Sequence, residues 1–310
     1  MAKTFDTFYR ELDALYDQGD LQRVERYLQE QREQYVQEYP RYFKELVAVC
    51  NEMGSFYRGT SRYDRSAEAF QSALGYIEED MGKNCIQYAT VLNNMAGTYR
   101  LTGDYQKAIT LFLEARDIYL AQGQKDSYEY ASVLNNISQA YLETRTYDQA
   151  IAYLKEALAL VRRISGSHQD IAITYNNLAA LYRAAGDHDE AKRCAKEAIR
   201  EFEQCADEEN VHYAAGLNSL AGILYAEQQY EQALELYQKS AAYTKRFFGE
   251  NIEYGVTCRN MYWVCEKLGR IEDAIAALEM AKENFTRLLG AEHDRTLAVA
   301  DDLRRLRGKL

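Results

Sequence analysis

Four histidines, six cysteines and a few adjacent acid pairs are the side chains of this sequence best suited to making or breaking bonds, and their spacing does not favour it. His168, His188, His212 and His293 are far apart in sequence. A zinc site gathers three or four donors and is usually announced by short spacings such as HExxH or a pair of CxxC motifs. Cys50, Cys85, Cys194, Cys205, Cys258 and Cys265 form no such pair and read as small apolar residues of a reducing compartment. There is no glycine-rich phosphate loop and no GxSxG elbow. Glu78-Glu79 and Glu208-Glu209 fall on predicted helix ends, where sequence neighbours point apart around the axis, so they read as solvated charge. His188 takes the place of a packing tyrosine and is expected in or near the core; His168 and His293 fall in linkers. No catalysis, metal or cofactor is expected.

A different chemistry recurs at fixed spacing. Asparagine stands at 51, 93, 135, 176 and 218, and a second amide follows the first at Asn94, Asn136 and Asn177, with Asn260 near the C-terminal end. A side-chain amide offers a donor and an acceptor together, so a ladder of them can pair with the C=O and N–H of a peptide without demanding a side chain. It can equally bond the neighbouring helix and serve structure alone. Asparagine is a middling helix former, so its recurrence mid-helix needs one reason or the other. Arg58, Arg100 and Arg183 share a second fixed position. A guanidinium suits a carboxylate or phosphate, with charge-assisted bonds worth about 1.5–3 kcal/mol when desolvated. The plain alternative is an exposed arginine paired with a nearby acid, worth well under about 1 kcal/mol.

The elements that position these residues follow from a repeat. Leu21, Tyr63, Tyr105, Tyr147, His188, Tyr230 and Ile271 mark one register, and Tyr9, Asn51, Asn93, Asn135, Asn176, Asn218 and Arg259 mark another; both advance by 42, 42, 42, 41, 42 and 41 residues. A fixed period of this size means stacked supersecondary units. Each copy predicts two amphipathic helices. The first carries a small residue (Gly54, Ala96, Ser138, Ala179, Ala221) and, three residues on, a large one (Tyr57, Tyr99, Tyr141, Tyr182, Leu224). The turn contains Gly19-Asp20, Gly103-Asp104 or Gly186-Asp187. Glycine can end the first helix in a left-handed cap and aspartate can cap the second. The second helix carries small, large, small, as in Ala108, Phe112, Ala115 and Ala150, Leu154, Ala157, on one packing stripe. The first copy departs from this with Val24, Leu28 and Gln31, and Tyr262 stands where a small residue is expected.

Predicted repeats run near 4–37, 41–80, 84–121, 126–163, 168–204, 210–247 and 251–289, with a capping helix near 292–308. No linker is rich in Pro, Gly or Ser, so one continuous all-α array over 1–310 is expected. A single proline in 310 residues suits a chain that is almost all helix. A net charge of −11 repels nucleic acid and anionic lipid, so neither is an expected partner. No apolar stretch nears the ~20 residues that span a bilayer, and Asp6 interrupts the start before a signal peptide could form. The expected location is cytoplasmic. The C-terminal Arg304, Arg305, Arg307 and Lys309 read as a charged cap in preference to a binding tail, and self-association through an uncapped end is open.

The pattern of Ala96, Tyr99, Gly103, Tyr105, Ala108, Phe112 and Ala115 resembles the tetratricopeptide repeat. The 42-residue period, the Leu92-Asn93-Asn94 and Leu134-Asn135-Asn136 triplets and the linker from Gly290 to Ala298, in which Asp294 stands where the family usually has proline, resemble its kinesin light chain subclass. The resemblance implies an α-α superhelix whose first helices line a concave groove. It places Asn51, Asn93, Asn135, Asn176 and Asn218 in that groove, Asn94, Asn136, Asn177 and Asn260 at its edge, and Arg58, Arg100 and Arg183 within reach of a ligand. Trp263 falls at a groove position and is either a binding hot spot or buried against its neighbour. The function expected is a non-catalytic scaffold that binds a protein or peptide segment, acidic or with a free C-terminal carboxylate. The alternative expectation resembles the peptide-pheromone-regulated repeat proteins of Gram-positive bacteria. It is weakened by repeats that begin near residue 4 and leave no separate effector module.

Overall fold

Each pair of helices is joined by a tight turn that contains one residue in the left-handed region. The computed structural model describes residues 5–205 and 210–308; the helix start expected at Thr4, the Glu208-Glu209 pair and Lys309 lie outside them. Among the described residues the chain forms seven helix pairs: α1 (Phe5–Asp17) with α2 (Leu21–Gln37), α3 (Phe43–Gly59) with α4 (Tyr63–Met81), α5 (Ile86–Leu101) with α6 (Tyr105–Ala121), α7 (Tyr128–Glu143) with α8 (Tyr147–Ile164), α9 (His168–Ala185) with α10 (His188–Glu203), α11 (Val211–Ala226) with α12 (Tyr230–Phe248), and α13 (Ile252–Lys267) with α14 (Ile271–Leu289). A last helix, α15 (Asp294–Arg307), follows. Each first helix ends at the turn that joins it to the second.

The turns show why. Gly19, Gly103, Gly186 and Gly269 take φ of +70°, +82°, +84° and +70°, and in the remaining three turns Ser61, Arg145 and Gln228 are held at +58°, +58° and +62°. The left-handed residue is therefore a requirement of the repeat, met by glycine in four copies and by strained L-residues in three. Asp20, Asp104 and Asp187 accept main-chain N–H bonds from Arg23, Lys107 and Glu190, which satisfies donors that the first turn of a helix leaves open.

The helices gather into two compact units, one up to Leu160 and one from Val161, the division falling inside α8. In the first, α1 packs on α2, α3 on α4 and α5 on α6, while α2 meets α3, α4 meets α5, α6 meets α7, and the first helices α3, α5 and α7 touch in turn. In the second, α9–α10, α11–α12 and α13–α14 pack as pairs, with α10 on α11, α12 on α13, α14 on α15 and α9 against α11. The small positions make this possible. Gly54, Ala96, Ser138, Ala179 and Ala221 are all buried. At Gly54 a β-carbon would lie 2.5 Å from the Phe70 ring, so glycine there lets α4 press directly on α3. Ser66, in a small position of α4, donates to the Gly54 carbonyl at 2.7 Å and shares a 2.9 Å bond with Thr98, so its hydroxyl is satisfied in a buried site. The departures are absorbed: Val24, Leu28, Gln31 and Tyr262 are all buried.

Candidate functional site on the first-helix face

The recurrent asparagines bond across the seam between successive first helices. Asn94 Nδ2 donates to Asn51 Oδ1 at 2.9 Å, joining α5 to α3, and Asn136 Nδ2 donates to Asn93 Oδ1 at 3.0 Å, joining α7 to α5. Both pairs are 43 residues apart. The same offset carries different chemistry at the two ends of the chain. In the first unit the Tyr9 hydroxyl donates to Glu52 Oε1 at 3.3 Å, and in the second Arg259 Nη2 donates to Asp302 Oδ2 at 3.0 Å. Asn218 Nδ2 donates to Thr257 Oγ1 at 2.8 Å and Asn176 Nδ2 to the His212 carbonyl at 3.1 Å, again between helices of neighbouring repeats. Asn135 on α7 and Asn177 on α9 are half-buried and engaged; Asn260 is half-buried on α13. These bonds are the structural role that the sequence left open beside groove binding. They leave the amides of the Asn51–Asn94 and Asn93–Asn136 pairs part of their donor and acceptor capacity, since each has two N–H groups and two lone pairs, whereas the Asn176 and Asn218 Oδ1 atoms are buried without a partner among the described residues.

The arginines are placed differently. Arg58, half-buried at the end of α3, donates from Nη1 to the main-chain carbonyl of Asn94 at 2.9 Å. It lies along α5 at Gly97, where a β-carbon would meet its Nη1 at 2.8 Å, and its guanidinium carbon is 6.0 Å from the centre of the Phe70 ring. Burial holds its pKa below the ordinary value, and the positive charge of Arg100, one repeat along, lowers it further. Among the described residues neither guanidinium has a carboxylate within ion-pair distance. In a chain of net charge −11 this is a local excess of positive charge, with the donors of Arg100 turned to no acid. Arg183 is exposed at the end of α9 in the second unit, where its charge acts on the Tyr237 phenol.

Glu52 adds a titratable group to the same face. Burial raises its pKa, against hydrogen bonds from Tyr9 and Asn51 that lower it. Beyond it, the N-terminal halves of α1, α3 and α5 frame an apolar cleft of about 530 Å³ that Asn51 borders. Sequence reasoning missed this cleft. Phe43 and Val47 precede Asn51 at helical steps of four, but the other walls come from α1, the end of α4 and the start of α5 and meet only in the fold.

The structure corrects the expectation for His188 and shows the surroundings of Trp263 and of the basic end. His188 is exposed at the start of α10, not in or near the core, because the position stands at the outer edge of its turn. Trp263 is 36% exposed, with its ring 4.6 Å from that of Tyr262 and Arg305 above it at 5.8 Å, so α15 partly covers it. The basic end is a cap: Arg304 pairs with Asp301, Arg305 with Tyr262 and Glu266, and Arg307 with Glu279. His168 contacts Glu201 at 2.7 Å and His293 caps α15. Among the described residues no three His, Cys, Asp or Glu side chains gather as metal ligands, and no helix is long and apolar enough to cross a membrane.

Comparison with known proteins agrees with the geometry. The tetratricopeptide repeat profile matches residues 45–121, 129–204 and 212–287, well over half the chain. Among curated proteins the chain is similar to the RxLR effector protein SFI4 of Phytophthora infestans, 31% identical over 98 residues; the match spans 31% of this chain and 29% of that protein's length. Among solved structures it is similar to BtubC (BKLC) from P. vanneervenii, with a TM-score of 0.65 at 18% identity over 74% of this chain and 93% of that one. It is also similar to a Rap protein solved in complex with Competence and Sporulation Factor, with a TM-score of 0.61 at 17% identity over 100% of this chain and 89% of that one. At these identities the structures speak for the fold.

Proposed function

Because the chain belongs to the tetratricopeptide repeat family, we propose that it is a non-catalytic interaction scaffold whose first unit holds an acidic peptide segment on its first-helix face. The observation that carries this reading is the Arg58–Arg100 pair. A half-buried guanidinium beside a second one is an unfavourable arrangement in the free protein, because burial and like charge both disfavour the charged form. A ligand carboxylate placed between them supplies the missing counter-charge and two or more charge-assisted hydrogen bonds. An aspartate or glutamate side chain and a free C-terminal carboxylate offer the same group. The bridged amides Asn51, Asn93 and Asn94 lie on the same two helices as the arginines, with Asn136 on α7 beside them, and their spare donors and acceptors would serve a peptide backbone. Arg183, Asn176, Asn218, Asn260 and Trp263 extend the same role to the second unit. The proposed location is cytoplasmic.

A second reading is a peptide-sensing regulator, favoured by one observation: the likeness to the Rap protein solved with Competence and Sporulation Factor extends over the whole of this chain. Both readings need a peptide ligand and differ in whether its binding alters an effector.

Selection of a random dodecapeptide display library on the protein tests the proposal. The wild type is expected to enrich sequences with Asp, Glu or an acidic C-terminus, and the Arg58→Ala/Arg100→Ala protein to lose that bias. The same acidic enrichment on both proteins would overturn it.

A further inference from the structure

A second feature of the same face, built from different residues, indicates what else such a ligand carries. The cleft at the N-terminal halves of α1, α3 and α5 is walled by Phe5, Phe43, Val47, Met81, Ile86 and Val91. Phe5 and Met81 are left 44% and 45% exposed at it. Two large apolar side chains held in water at the mouth of an apolar cleft are a surface that gains from being covered. Its volume of about 530 Å³ is within the range of sites that enclose small ligand groups.

The cleft is continuous with the arginine pair. Val47, Asn51 and Arg58 are separated by four and seven residues, which places them on one face of α3. Asn51 borders the cleft and bonds Asn94, whose carbonyl in turn receives Arg58. Apolar cleft, amide bridge and guanidinium pair therefore follow one another along the same two helices. Eleven residues of helix from Val47 to Arg58 span roughly 16 Å at 1.5 Å per residue. An extended peptide rises about 3.3 Å per residue, so about five residues connect the two ends.

We infer that the cleft receives one large apolar side chain of the same acidic peptide, about five residues from the carboxylate held at Arg58 and Arg100. The inference rests on the reading of the arginine pair as a ligand site and adds a second anchor to it. Charge complementarity selects the occupant: a purely apolar partner would leave the adjacent guanidiniums uncompensated, and a peptide that carries both groups satisfies both ends. Specificity then lies in the spacing of an apolar and an acidic residue along the ligand, with the amide bridge between them tolerant of the intervening sequence.

The test is the same dodecapeptide selection with two further proteins, Ala48→Leu and Val47→Gln. Ala48 lines the cleft, and leucine there fills it while keeping the surface apolar; circular dichroism checks that both variants fold. Wild-type selections should pair an acidic residue with Phe, Leu, Met or Trp four to six positions away. Both variants should keep the acidic preference and lose the apolar one. By fluorescence anisotropy, the best wild-type peptide should bind each about tenfold more weakly, the loss expected for one poorly buried apolar side chain. Acidic sequences with no apolar residue at fixed spacing, or unchanged affinity in both variants, would overturn the inference and leave the arginine site standing. A wild-type selection with no acidic enrichment would remove the arginine site and the inference together.

Discussion

The side-chain amide of Asn94 donates to the side-chain carbonyl of Asn51 across 2.9 Å, and the main-chain carbonyl of the same Asn94 receives Arg58 at 2.9 Å. One residue of α5 thus holds two residues of α3, and the three sit where a recurrent amide and a recurrent arginine of the repeat come together. The amide bond fixes the spacing of the two helices. The arginine, seated over Gly97, is left with its charge uncompensated.

If Asn51 and Asn94 bridge the helices, their bond should appear in stability. Asn51→Ala and Asn94→Ala are each expected to destabilise by about 0.5–1.5 kcal/mol, and the double substitution by less than the sum. Urea unfolding of the four proteins in a double-mutant cycle measures this. Strict additivity would show that the two amides do not act as a pair.

The Gly54–Phe70 contact should be intolerant of one carbon. With a β-carbon 2.5 Å from the ring, Gly54→Ala forces α4 away from α3 and should cost about 1–3 kcal/mol by overpacking. Phe70→Leu introduced into the same protein should recover part of that loss in thermal unfolding.

The turns offer a gain of stability. Arg145 is exposed and held at φ +58°, a conformation that glycine adopts without steric cost. Arg145→Gly should raise stability by up to about 1 kcal/mol, whereas Gly103→Ala, at φ +82°, should lower it by about 1–2 kcal/mol. Differential scanning calorimetry of both proteins should show melting temperatures moving in opposite directions.

Glu52 should make stability depend on pH in a defined sense. Burial raises its pKa above the ordinary value of 4.5, so the folded state favours the protonated form more than the unfolded state does. Its contribution is fully present below the ordinary value and is lost as pH rises through the raised one. Glu52→Gln keeps a neutral side chain and an acceptor for Tyr9. It should therefore be more stable than the wild type at pH 7, with the difference closing below about pH 4. Equal stability at both pH values would contradict the assignment.

Much of this fold was legible because the repeat writes the same physics many times. Gly103-Asp104 announces a left-handed cap and an N-cap in one dipeptide, and Ala108, Phe112 and Ala115 state the packing stripe. The turns at Ser61, Arg145 and Gln228 were less plain, since the left-handed conformation there is imposed by packing on residues that do not prefer it. His188 misled because a position held by tyrosine in other copies is only half-buried even at Tyr105, and imidazole covers less surface. The site was half legible. Register located Asn51, Asn94, Arg58 and Arg100 but could not say that amides pair 43 residues apart, since that depends on how far one helix slides along the next. The apolar cleft was not legible at all: Phe5 and Met81 reach it from different helices, and nothing in either segment marks it.

The most direct test of the central claim is a charge swap at Arg100. A peptide selected on the wild type is titrated by fluorescence anisotropy into wild-type and Arg100→Glu protein, and again after its acidic residue is exchanged for lysine. Arg100→Glu should weaken the acidic peptide at least tenfold, the effect of losing a charge-assisted bond of about 1.5–3 kcal/mol, and the lysine peptide should recover most of the loss on that variant alone. Equal binding of the acidic peptide to both proteins, or no recovery with the lysine peptide, would contradict it.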